Sequence, residues 1–243
     1  MITLEPARLE EIGGRLVHLA TTKSTNDEAK QLAADGAVHG TLVVTDEQTA
    51  GRGRHGAEWV SGPGEGLAFS VVLRPEWDPS RWGWLGLAAG LAVAEMLERL
   101  GLEAAIKWPN DVLVDGRKTS GILVEAHSGA AVVGIGINVN EENFPEGLEA
   151  VSVGQALGRT VSREEVLVAV WRRLLAVVDR EPDVIAEAVW QRLAWRNEVV
   201  ATAEGVAAKI RGFGVGGELL LESRGKLVRL THGESLRGPG FRD

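Results

Sequence analysis

The stretch from Asp46 to Gly66 restricts the fold of this chain more than any other. It holds six glycines, shows no helical period, and lies between two β-branched runs, residues 41–45 (TLVVT) and 67–73 (LAFSVVL). A loop of about twenty residues without secondary structure is uncommon inside a compact domain, and is usually functional where it occurs. The order strand, loop, strand also excludes the common parallel nucleotide folds. Gly51-x-Gly53-x-x-Gly56 spells the dinucleotide fingerprint, but that motif needs a helix to open at the third glycine, and AEWVSGPGEG follows instead. A kinase glycine loop fits the letters equally well, with Ile106-Lys107 as its strand lysine. No His-Arg-Asp or Asp-Phe-Gly follows, however. Gly116-Arg117-Lys118-Thr119 lacks the glycine that a phosphate-binding loop places before its lysine.

The flanking sequence gives short strands interleaved with helices. Ser24 with Asp27 fits a capping box opening a helix to about Ala34, and Ser80 is placed to cap a broad apolar helix to Leu100. Residues 104–108 form a strand stopped by Pro109. Residues 112–114 and 118–126 form a hairpin about Asp115-Gly116, and 131–138 another strand. Ser162 with Glu165 opens a helix to Arg180, and Pro182 starts one ending near Asn197. From Glu198 the pattern changes to short alternating strands between glycine turns, a β unit too small to stand securely alone. The expectation is an α+β chain with a main domain over residues 1–197 and a small β domain over 198–243.

Composition removes whole classes of chemistry. There is no Cys and no Tyr, so no thiolate, disulfide, sulfur-ligated zinc or phenolic acid. The five His have no metal-ligand spacing, and no metal-ligating residue is assigned. A net charge of −8 argues against duplex DNA as partner. The N-terminus has acids where a signal peptide has basic and apolar regions, and the longest apolar run (82–94) is too short to span a bilayer. A cytoplasmic protein with no membrane partner is expected.

Several segments carry candidate chemistry. Arg52 and Arg54 sit among glycines that permit close backbone approach, a pattern suited to folding over an anion. Trp59 offers a flat face for a ring. Lys107 at the end of an apolar strand wants an anionic partner, and Asn110 and Asp111 follow at the rim. Lys118 starts a hairpin strand. Gly134 and Gly136 inside a strand signal close approach by another group, with Asn138 at that strand's end. Taken singly, each has a plain structural explanation. A solvated loop accounts for the arginines, a turn for Asn110 and Asp111, and helix capping for Ser24-Thr25-Asn26.

In their order these segments resemble the biotin–protein ligase family. The resemblance runs from about residue 15 to 237: STN at 24–26, Gln-x-x-Gly-Arg-Gly-Arg-x-Gly at 48–56, Trp59, KWPND at 107–111, GRKTSGILVE at 116–125, GIGINVN at 134–140, and GESLR at 233–237. It implies a mixed, largely antiparallel sheet backed by helices, as in class II aminoacyl-tRNA synthetases, with a small SH3-like C-terminal β-barrel. It implies an enzyme that uses ATP and Mg2+ to make biotinyl-5′-AMP and passes biotin to a lysine of a biotin carboxyl carrier domain.

The roles implied are these. Ser24, Thr25, Asn26 and Gln48 bind biotin, and Gly121 leaves backbone open along its tail. Arg52 and Arg54 order the loop over the adenylate, and Trp59 stacks on adenine. Lys118 holds the biotin carboxylate and α-phosphate. Lys107, Asn110 and Asp111 line the ATP and magnesium side, with Asp111 near the incoming lysine. Asn138 contacts phosphate or adenine, and Arg237 reaches toward nucleotide or carrier. One departure is Ala57, where the family usually has an arginine; it implies weaker ligand-driven ordering of the loop. The alternatives are a lipoate–protein ligase and a biotin-sensing repressor. The second is disfavoured because STN begins at residue 24, leaving no room for a helix-turn-helix before it. A homodimer formed through sheet edges and a loop disordered without ligand complete the expectations.

Overall fold

The computed structural model describes residues 3–202, 205–231 and 236–239. Its centre is a seven-stranded sheet in the order β1-β2-β3-β7-β6-β5-β4. The strands are β1 (Leu16–Thr22), β2 (Thr41–Gln48), β3 (Leu67–Leu73), β4 (Ala104–Lys107), β5 (Asp111–Val114), β6 (Arg117–His127) and β7 (Ala130–Ile137). Only β1 and β2 pair in parallel. The helix α1 (Thr25–Ala34) is the crossover that such a pair requires. All other neighbours are antiparallel.

The strand sequences read as apolar runs rather than alternations because helices cover both faces. All eight residues of β7 are buried. On one face α1 sets Ala29 and Ala33 against Val43, Val72 and Val132. On the other, α2 (Trp84–Arg99) and α4 (Arg163–Val178) close the main core. Thirteen of the sixteen residues of α2 are buried. Gly90 brings this helix close enough that an added Cβ would press on Ile106.

Several element ends differ from the sequence reading. Ser24 makes no side-chain cap bond, and the Asp27 carboxylate, which a capping box would turn back to the Ser24 amide, is turned to Arg52 instead. Asp78, not Ser80, is the cap. Its carboxylate accepts from the Ser80 amide at the head of a 3-10 turn, and α2 starts at Trp84. The helix from Pro182, α5 (Pro182–Gln191), stops short of Asn197, where Trp195 and Asn197 take positive φ. Elements without a sequence reading include the 3-10 segment Pro6–Arg15, the strand β1, the 3-10 turn Arg54–Gly56, and α3 (Val153–Leu157), a short helix with a full Ser152/Gln155 capping box. The Asp115-Gly116 turn is as expected, with both residues at positive φ between β5 and β6.

The C-terminal strands β8 (Val199–Thr202), β9 (Ala207–Phe213), β10 (Leu219–Ser223), β11 (Lys226–Leu230) and β12 (Leu236–Arg237) form an antiparallel sheet in the order β11-β10-β9-β8-β12. Its inner face joins the main core cluster through Ile210, Leu219 and Leu221. Tryptophans make the join. Trp84 Nε1 donates to Val215 O at 2.9 Å, and Trp108 Nε1 donates to Gly217 O at 3.1 Å. Phe213 meets Trp84 and Trp190 edge-on. Residues 233–235 of the GESLR segment, and the Arg237 side chain, lie outside the described residues.

Candidate active site

A pocket of about 250 Å³ opens between the start of α1, strands β6 and β7, and the loop after β2. The folded chain brings to its wall Ser24, Thr25, Asn26, Gln48, Arg52, Arg54, Trp59, Asn110, Asp111, Lys118 and Gly121. Two candidates stand apart. Lys107 Nζ lies 5.6 Å from the centre of the Trp195 ring. Asn138 is buried behind the strand carrying Lys118, with Nδ2 donating to Lys118 O at 3.2 Å.

One part of the wall is neutral and dense in hydrogen bonds. Gln48 Oε1 accepts from the Thr25 amide at 2.8 Å and from Thr25 Oγ1 at 3.1 Å. Ser70 Oγ sits within 2.8 Å of Thr25 Oγ1 and 2.6 Å of Asn26 Oδ1. Its single hydrogen serves one of them at a time. Asn26 Nδ2 donates to Glu125 Oε2 at 2.8 Å. Burial pushes the Glu125 carboxyl up, but its Asn26 and Lys30 donors and the Lys30 and Arg52 charges outweigh this and hold it below the usual range.

The other part is cationic. Lys118 Nζ is 2.7 Å from Asp111 Oδ1. This contact is an ion pair without hydrogen-bond geometry, since Oδ1 is buried and accepts no hydrogen bond. Arg54 Nη1 donates to Asn110 Oδ1 at 2.9 Å. Burial lowers the Arg54 pKa, opposed by the nearby Asp111 charge. The strand glycines separate the two parts. A Cβ on Gly134 would collide with Asn26, and one on Gly136 with the Trp59 indole. Gly121, the register partner of Gly136, also lies against Trp59 and against Lys118. Gly134 and Gly136 stand about 7 Å apart along extended chain, so Asn26 and the Trp59 indole lie over successive inward positions of the pocket floor.

The loop is a folded roof over this floor. Arg52 bridges Glu58 in antiparallel fashion, the Gly53 amide donates to Ala57 O at 2.6 Å, and the Trp59 amide to Gly51 O at 3.0 Å. Gly51 is required by packing, because a Cβ there would strike the Trp59 carbonyl. The loop's two ends are tied down by buried polar groups. Arg163 of α4 donates to Gly66 O at 3.2 Å and lies 3.8 Å from Asp46 Oδ1. Ser61 Oγ donates to Glu141 Oε1 at 2.9 Å. Burial pushes the Glu141 carboxyl up, and its Oε2 has no hydrogen-bond partner among the described residues.

The residue reading missed Ser70, Asp27, Lys30, Glu125, Arg163 and Glu141. Ser70 left a signal, the lone hydroxyl in an apolar strand. Asp27 reads locally as a capping-box partner, and the other charged ones as ordinary surface residues.

Residues 19–141 match the biotin/lipoate A/B protein ligase family. The chain belongs to that family. It is 34% identical over 237 residues to the bifunctional ligase/repressor BirA of Bacillus subtilis, across 93% of this chain and 72% of that one. It is also 34% identical over 233 residues to the biotin–[acetyl-CoA-carboxylase] ligase of Mycobacterium tuberculosis, across 87% and 88% respectively. Among solved structures, the Aquifex aeolicus biotin protein ligase in complex with biotin and ATP superposes with a TM-score of 0.82 at 31% identity, covering 92% of this chain and 98% of that one. The large mixed sheet backed by helices is thus the fold of that ligase.

Proposed function

We propose that this chain is a biotin–protein ligase, which joins biotin to AMP at the expense of ATP and then transfers biotin to a lysine of a carboxyl carrier domain. The observation that carries this reading is the two-part pocket. Neutral donors and acceptors at Thr25, Gln48 and Asn26 line the same pocket as the cations Lys118 and Arg54. That matches a substrate with an uncharged, hydrogen-bonding ureido head and a carboxylate at the end of an apolar tail.

In the first step a carboxylate oxygen attacks the α-phosphorus of ATP and pyrophosphate leaves, giving the acyl-adenylate. Negative charge gathers where the two oxyanions approach, so fixed cations lower the barrier more than a protein nucleophile would. Lys118 and Arg54 supply that charge, Lys118 by exchanging Asp111 for the ligand. In the second step the carrier lysine, as free amine, attacks the acyl carbon, AMP leaves, and an amide forms with loss of one proton. Asp111, released by Lys118, is placed to accept that proton or orient the amine. Trp59 provides a stacking face, and Asn138 and Gly121 hold the Lys118 strand and the open backbone beside the tail.

Mg2+ is part of the proposal, neutralising triphosphate charge when bound. Among the described residues no cluster of three or more metal-ligating side chains occurs. The oxygens of Asp111 and Asn110 therefore fit an ion carried mainly by phosphate and water. The remaining parts of the reading are a cytoplasmic location, a division at residues 197/198, Lys107 and Arg237 facing nucleotide or carrier, and a homodimer. A sheet edge supports the last: residues 117–121 of β6 pair with β5, while 122–127 pair with β7 alone.

The deciding experiment is a mass spectrum of a carrier domain incubated with the protein, ATP and magnesium, plus biotin or lipoate. A biotin-sized mass gain that disappears in Lys118→Ala is expected. A gain with lipoate alone would move the substrate within the family, and no gain with either acid would sink the reading.

A further inference from the structure

Two arginines stand two residues apart in the loop, and the structure gives them different surroundings. Arg52 is already occupied. Its Nη1 and Nη2 donate to Asp27 Oδ2 and Oδ1 at 2.6 and 2.7 Å, a planar two-point fork. Its Nη2 also lies 3.7 Å from Glu125 Oε2. Lys30 Nζ completes the group, 3.0 Å from Asp27 Oδ1 and 3.0 Å from Glu125 Oε1. Two cations thus meet two carboxylates, and no positive charge is left over for a phosphate. Arg54 is partly buried and has no carboxylate at ion-pair distance among the described residues; its Nη1 is held only by the neutral Asn110.

The four charges come from three elements: Asp27 and Lys30 from α1, Glu125 from β6, and Arg52 from the loop. Arg52 is also the residue whose backbone bridges Glu58, next to Trp59. Whatever fixes Arg52 therefore fixes the loop hairpin and the indole it lays across Gly121 and Gly136.

We infer that Asp27, with Glu125 and Lys30, forms a catch that holds Arg52 and keeps residues 51–59 closed over the pocket. Asp27 and Arg52 are positioning residues, and Arg54 is the loop cation that meets the ligand. The side chains of Arg52 and Asp27 are 40% and 46% exposed, so water and salt limit the strength of the fork. A partly exposed pair of this kind shifts an equilibrium by a few-fold to about tenfold. That strength suits a loop that must open to admit two reactants and close over a hydrolysable anhydride. The statement about the loop needs no ligand. Its consequence for turnover rests on the ligase reading.

The test is amide hydrogen exchange on the full-length, ligand-free protein, read at Gly53 and Trp59, whose amides close the hairpin. Asp27→Asn and Arg52→Gln each speed exchange there by about three- to tenfold, with α1 and β7 unchanged. The double variant exchanges no faster than either single one. Raising salt speeds exchange in the parent protein and not in Asp27→Asn. Arg52→Lys, which keeps the charge and loses the fork, falls between. In turnover, Asp27→Asn raises KM for ATP and biotin more than it lowers kcat, and increases acyl-adenylate hydrolysis when no carrier is present. Unchanged loop exchange in Asp27→Asn, or additive effects in the double variant, would overturn the inference. So would a fall in kcat with KM and exchange unaltered. Faster exchange in a protein that modifies no carrier would uphold the catch and reject the ligase reading instead. Because Asp27 and Arg52 are both at the surface, two independent variants guard against a failure to fold.

Discussion

At the scale of single residues, the site depends on which charges already have partners. Lys118 is paired with Asp111, so an anionic ligand replaces that carboxylate as its partner rather than meeting a bare cation. Lys118→Ala removes the exchange partner and leaves the mostly buried Asp111 charge with only the more distant Arg54 opposite it. The expected result is a loss of kcat/KM of about 10²–10³ or more, the range for removing a cation or donor aimed at developing charge. Carrier-modification kinetics on a variant with unaltered circular dichroism would check this. Glu141 presents the opposite case. Burial raises its pKa in the fold, so its folded form holds a proton more tightly than its unfolded form. The Glu141 contribution to stability is then greatest at low pH and declines as pH rises through the ordinary carboxyl range toward the folded pKa. Glu141→Gln removes that cost, and thermal melts at pH 7–8 should rise by about 2–4 °C for each kcal/mol relieved in a chain of this size. An unchanged or lower melting temperature would show the carboxylate to be satisfied in another way.

At the scale of elements, the glycine loop is the variable part. Its fold rests on short backbone bonds, one partly exposed ion-pair cluster and a single indole, against the entropy of a glycine-rich segment. Asp27 and Glu125 both have carboxyls held below the usual range, Asp27 chiefly by its hydrogen bond from Arg52. Groups of this sign stabilise the closed loop above the ordinary carboxyl pKa, and that contribution is lost as pH falls through the folded values. The protection of residues 51–59, measured against the intrinsic exchange rate at each pH, should therefore fall from about pH 4 downward, before that of the sheet amides, whereas a simultaneous fall would mean that the loop opens only by global unfolding. Biotin with ATP should slow exchange in the same segment, as expected for a loop ordered by its ligand. Ala57 contributes no cation to that ordering.

At the scale of the whole molecule, three tryptophans bind the C-terminal sheet to the main sheet. Trp84 and Trp108 donate across the junction and Trp190 packs on Phe213. The small sheet contributes its inner face to a shared core. Trp84→Ala removes a buried indole that touches both units, and a destabilisation of about 3–5 kcal/mol is expected. Denaturant melts would measure the loss. Exchange at residues 207–231 would show the small sheet loosening first, and equal protection loss in both sheets would mean that it has no independence.

The sequence alone determined most of the strands and long helices and the motif set. β-branched runs, glycine punctuation and the apolar surface of α2 are local properties, fixed by the backbone and side-chain chemistry of adjacent residues. The exclusion of dinucleotide and phosphate-loop folds was legible for the same reason, since those motifs need a helix at a set spacing. Of the pocket wall, Ser24, Thr25, Gln48, Arg54, Trp59 and Lys118 could be named because they lie in short recognisable segments. Tertiary structure decided what those residues touch. The parallel pairing of β1 with β2 is fixed by α1 crossing over the sheet. Asp27 caps nothing because Arg52, distant in sequence, offers it a two-point fork. Ser70 meets Thr25 and Asn26 only because α1 lies across β3. Gly134 and Gly136 do signal close approach, but the groups that approach are Asn26 and Trp59 of the chain itself. Hydrogen bonds and ion pairs act over a few ångströms in space irrespective of separation along the chain, so local sequence fixes which groups are available and only the folded backbone fixes which of them meet.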